Sequence, residues 1–136
     1  MNFLLDECFP FRFVQMLRPL CEREGDSIQH LVTDLGFRGV EDEEWIGKLD
    51  PDVQWVLLTR DDKLAKLKLQ RDAWRQQGII GFFFAKQWSH ATHNEVAWRL
   101  VRWWPTLIEI AERAGPGFGY RIPWQGEPKR KLEPIP

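Results

Sequence analysis

Phe3-Leu4-Leu5-Asp6-Glu7 sets three large apolar residues directly against two carboxylates. A short unbroken apolar run is the pattern of a strand buried on both faces. The two acids then stand where that strand leaves its sheet. Val56-Leu57-Leu58-Thr59-Arg60-Asp61-Asp62 repeats the arrangement in the middle of the chain. If the two strands are parallel neighbours, their acidic ends meet at one edge of one sheet.

The rest of the chain reads as the scaffold for that meeting. Cys8-Phe9-Pro10 is a turn, with Pro10 suited to a first helical turn. Phe11, Val14, Leu17 and Cys21 then recur at helical spacing, and Glu24-Gly25-Asp26 ends the helix. Residues 27–32 alternate apolar and polar and predict a peripheral strand. A loop with two glycines follows, and Glu41-Asp42-Glu43-Glu44 begins a short helix whose first-turn acids complement the macrodipole. Residues 53–59 predict a third strand, 61–77 one helix, and Ile79 to Ala85 a fourth strand, apolar throughout. Thr92-His93-Asn94-Glu95 matches a capping box and opens a long helix, which Pro105 should kink. Residues 119–122 can add an edge strand, and Lys129-Arg130-Lys131 with the final Pro-Ile-Pro read as a mobile tail. Strands alternating with helices predict an α/β fold, a three-layer doubly wound parallel sheet. Such folds place their chemistry outside the carboxyl ends of the strands, at a switch point. We expect one domain over 1–115, with 116–136 as an extension.

Composition narrows the function. The net charge of −1, from 19 Lys and Arg against 20 Asp and Glu, excludes a generally basic nucleic-acid coat but leaves room for a local basic face. Two cysteines make no disulfide framework and match no common zinc spacing. No apolar run approaches the roughly 20 residues of a membrane span, and no signal peptide is evident, so a cytoplasmic protein is expected.

Clustered carboxylates repel one another, and stay ionised only when cations neutralise them. Hard cations such as Mg²⁺ and Mn²⁺ prefer oxygen ligands, activate a bound water and stabilise the oxyanions of a phosphodiester being displaced. Taken singly, Asp6 and Asp61 also fit helix caps, and Asp42, Glu43 and Glu44 fit solvated first-turn acids. Taken together, both following apolar strands, Asp6 and Asp61 point to a site. Lys68, Arg71 and Arg75 line one helix face and can track nucleic-acid phosphates, or simply be solvated. His90 and His93 lack further ligands for zinc. Trp88, Trp98, Trp103 and Trp104, at helical spacing, belong mostly to a core, with base stacking or docking of a partner segment as the alternative use.

Three blocks in order and spacing carry a family resemblance: Phe3-Leu4-Leu5-Asp6-Glu7-Cys8-Phe9-Pro10; Asp34-Leu35-Gly36-Phe37-Arg38-Gly39 with Asp42-Glu43-Glu44; and Val56-Leu57-Leu58-Thr59-Arg60-Asp61. Over residues 1–113 the chain resembles PIN-like proteins, most closely the VapC-type toxin branch. The resemblance implies a Mg²⁺- or Mn²⁺-dependent ribonuclease, the toxin of a toxin–antitoxin pair. RNA is then the substrate, with a cognate antitoxin and a second copy of the chain as candidate partners and no membrane. It implies metal ligands at Asp6, Glu43, Asp61 and Asp62, catalytic roles for Asp6, Asp42, Glu43 and Asp61, and an orienting role for Thr59. Lys63 stands where the family has a further acid, and Cys8 where it has Asn. The alternatives are a catalytically degenerate PIN-like binding module, and an enzyme acting on another phosphoester.

Overall fold

In the computed structural model, residues 1–22 and 25–136 are described; Glu24, expected at the first helix end, lies outside them. The described elements are β1 (Asn2–Leu5), α1 (Phe11–Glu22), β2 (Ser27–His30), α2 (Asp42–Lys48), β3 (Trp55–Thr59), α3 (Asp62–Lys66), α4 (Lys68–Gln76), β4 (Ile80–Phe84), α5 (His93–Arg113) and β5 (Gly119–Ile122). A single 3₁₀ turn, Lys86–Ser89, leads into α5.

The five strands form one parallel sheet in the order β2-β1-β3-β4-β5. β1 and β3 are neighbours, with Leu5 opposite Leu58. The chain moves from β1 outward to β2, then crosses to the other side of β1 to lay down β3. The switch point therefore lies between β1 and β3.

Side-chain alternation builds two cores. Phe3 and Leu5 of β1, Val56 and Leu58 of β3, and Phe82 and Phe84 of β4 face α1 and α5. Leu4, Leu57 and Phe83 face the opposite way, toward α2, α3 and α4. Every residue of β3 and β4 is buried, as unbroken apolar runs in a covered parallel sheet require. Trp45, Trp74, Trp88, Trp103 and Trp104 are core, whereas Trp98 is half exposed.

Three expectations are corrected. The single helix expected over 61–77 is two, because Leu67 is extended (φ −79°, ψ 128°). The break lets the Trp74 indole donate to the Leu64 carbonyl at 2.7 Å; ten residues of continuous helix would hold those positions about 15 Å apart. β2 stops at His30 rather than Val32, because the His30 carbonyl accepts from the Asp34 and Leu35 amides and closes a turn. α5 is one helix from His93 to Arg113, with Pro105 inside it. The last residues do not trail away. Ile135 is 6% exposed, its amide donates to the Gly119 carbonyl at 2.8 Å, and Tyr120 bridges Pro134 in antiparallel fashion.

Candidate functional site

The Asp6 amide donates to the Leu58 carbonyl at 3.1 Å, so the ladder between β1 and β3 carries one residue past β1. That step sets Asp6 beside Thr59, the last residue of β3. The Thr59 hydroxyl donates to Asp6 Oδ2 at 2.7 Å and accepts from the Asp61 amide at 2.9 Å. Thr59 is fully buried, so one hydroxyl joins the two strand ends that carry the acids. The other Asp6 oxygen accepts from the Glu7 amide at 2.7 Å. Asp61 also caps α3, accepting from the Lys63 amide at 2.9 Å. The cap and the site are therefore two uses of one carboxylate.

Asp42 enters from α2. Trp45 and Ile46, three and four residues on, are buried and set the helix phase, so Asp42 shares their face. The Trp45 indole donates to Asp42 Oδ1 at 3.0 Å. Asp6, Asp42 and Asp61 then line one cleft of about 480 Å³, with Glu7, Cys8, Leu31, Trp45, Arg60 and Ser89 among its walls. His30 ties the turn after β2 to the turn after β1: its Nδ1 accepts from the Val32 and Thr33 amides, and its Nε2 donates to the Phe9 carbonyl at 2.7 Å.

The acids feel each other. Burial pushes the Asp6 carboxyl above its ordinary value; the Thr59 and Glu7 hydrogen bonds pull part of the way back, and the Asp42 and Asp61 charges add to the rise. Burial raises Asp42 as well, opposed by the Trp45 bond and reinforced by Asp61, Glu43 and Glu41. Among the described residues none of the three is ion-paired. Cys8 borders the cleft as a protonated thiol, pushed up to about 11 by burial and by Asp6, with its sulfur accepting from the Arg60 amide at 3.3 Å.

Other predicted site residues lie elsewhere. Glu43, one position past Asp42, lines a separate hollow with Ile46, Ala73 and Gln76. Asp62 is half exposed and lies 3.5 Å from both Lys66 and Arg121, outside the cleft lining. The basic residues of α4 make contacts of their own. Lys68 pairs with Asp72 at 2.7 Å, and Arg75 donates to the carbonyls of Ile135 and Pro136, holding the C-terminal residues down. Arg71 borders Asp72 and lowers its carboxyl together with Lys68 and Arg75. Arg60 and Cys8, which the residue-by-residue reading assigned no role, line the cleft. For Arg60 the signal was its place between Thr59 and Asp61.

The donor set is all oxygen, three carboxylates to which no cation is ion-paired among the described residues, and its chemistry fits a hard divalent cation held partly through water. Among the described residues no group of three or more His, Cys, Asp or Glu side chains is arranged to chelate an ion directly. Nor is any described helix long and apolar enough to cross a membrane.

No curated protein and no solved structure matches the chain. The model of one family, described as PIN like domain, matches residues 1–86, which hold β1 to β4 and all three cleft acids. With a parallel α/β sheet and that match across most of its length, the chain belongs to the PIN-like domain family, whose members are generally nucleases.

Proposed function

We propose that this protein is a metal-dependent ribonuclease of the VapC-type branch, acting as the toxin of a toxin–antitoxin pair in the cytoplasm. One observation carries the reading: Asp6, Asp42 and Asp61, from three separate elements, line one cleft at the switch point of the sheet. Asp6, Asp42 and Asp61 would hold Mg²⁺ or Mn²⁺, which when bound supplies an activated water and neutralises charge on a phosphodiester. Thr59 holds the first and third acids in register through its single hydroxyl. Trp45 fixes the direction of Asp42. Glu43 and Asp62, outside the cleft lining, are not needed for this reading. We assign the activity to residues 1–115, with 116–136 completing the sheet edge, and a homodimer and an antitoxin as the assemblies to look for.

The purified protein is expected to cleave labelled RNA with Mn²⁺, while an Asp6→Asn variant does not. Growth arrest on expression, relieved by a neighbouring gene product, would support the toxin role. A second reading, a catalytically degenerate PIN-like module that binds without cutting, is favoured by the absence, among the described residues, of a ready-made three-ligand group. Equal lack of cleavage by parent and variant would select it.

A further inference from the structure

Arg60 lines the acid cleft and is the one Lys, Arg or His among its described lining residues. Its guanidinium is held from two sides. Nη1 donates to the Trp88 carbonyl at 3.1 Å, and Cζ stands 4.7 Å from the centroid of the Phe9 ring. Both partners are fully buried, so the placement rests on the core rather than on the surface.

The arginine is also incompletely used. Among the described residues it is ion-paired to no carboxylate, although three acids line the same cleft. Its Nε is buried and has no hydrogen-bond partner. A cation kept off its neighbouring acids by a ring and a carbonyl stays available to an anion from outside.

A polyanionic substrate needs such a group here, because three carboxylates repel it. None of the three basic residues of α4 lines the cleft, and two are engaged elsewhere, Lys68 with Asp72 and Arg75 with the carbonyls of Ile135 and Pro136. We infer that Arg60 is the phosphate anchor of the cleft, taking a backbone phosphate of single-stranded RNA and so fixing the strand against Asp6, Asp42 and Asp61. The inference rests on reading the cleft as the nuclease site, and it assigns Arg60 a binding and positioning role. Lysine cannot substitute fully, since a compact ammonium lacks the planar fork that lies against Phe9 and can grip a phosphate with two parallel donors.

The test is binding of a short labelled single-stranded RNA, followed by anisotropy across a salt series with Ca²⁺, and cleavage followed separately with Mn²⁺. Arg60→Met is expected to bind roughly 10- to 100-fold more weakly, the loss of a charge-assisted hydrogen bond. Its log–log salt slope should shrink by about 0.7, the signature of one lost phosphate contact on a single strand. Arg60→Lys should recover the slope without the full affinity; it also carries the test should Arg60→Met fail to fold. Arg113→Met, at the end of α5 and outside the cleft lining, should change neither quantity. Parental affinity and slope in Arg60→Met, or a parent that binds no RNA, would overturn the inference. A parent that binds through Arg60 but cuts nothing leaves the anchor standing and removes the nuclease reading. A parent whose cleavage and binding both survive loss of Arg60 does the reverse.

Discussion

Asp6 shows how a site residue works against the stability of its own fold. Its carboxyl is raised above the ordinary 3.8 chiefly by burial, so ionisation is harder in the folded than in the unfolded chain. Between the two pKa values the folded state binds more protons, and stability falls as pH rises. The favourable contribution is complete below about 3.8 and is lost as pH climbs through the folded value. In chelator-treated protein, Asp6→Asn is therefore expected to melt higher than the parent at pH 7, by a few degrees, with the gap closing toward pH 4. Added Mn²⁺ should raise the parent's melting temperature and leave the variant's unchanged, since only a ligand that binds the folded state stabilises it. Thr59 makes the complementary case. Thr59→Val keeps the shape but strips Asp6 of a donor and leaves the Asp61 amide unpaired. Urea unfolding should show a loss of about 1–3 kcal/mol, and Thr59→Ser should lose less than half of that.

β4 is the element on which the second core turns. Its Gly81 has no side chain because the Phe83 ring occupies the space: a Cβ there would sit 2.5 Å from the ring. The ring in turn packs on Trp74, with centroids 5.3 Å apart, and so locks α4 against the sheet. Gly81→Ala should destabilise the protein by about 1–3 kcal/mol, seen as a lower urea midpoint at unchanged slope. α2 carries a different lesson. Four consecutive acids, residues 41–44, were equivalent as composition, and only burial of Trp45 and Ile46 turns Asp42 to the cleft and Glu43 to another hollow. The three-residue spacing from Asp42 to Trp45 held that information, but it becomes legible only once the tryptophan is known to be buried.

Across the molecule, the C-terminal residues seal what the sheet leaves open. β5 pairs with β4, residues 133–135 run back along its outer side, and Arg75 clamps the carbonyls of Ile135 and Pro136. Covering an edge strand in this way removes a template for association. Ile135→Ala is expected to cost about 2–5 kcal/mol in equilibrium unfolding, whereas a mobile tail would show no change. A tail rich in glycine, proline and charge reads as mobile because its two anchors, Leu132 and Ile135, are isolated apolar residues without period; their burial depends on a groove made by distant elements. The strands and their acidic ends were legible for the opposite reason. An unbroken apolar run has few ways to leave water, and β1, β3 and β4 announce themselves within a handful of residues each. From its order alone the chain determined a parallel α/β sheet and acids at two strand ends, because both follow from local pattern. Helix phase, the break at Leu67, the Thr59 link and the place of Arg60 were decided only by packing between residues far apart in sequence, where no local pattern acts.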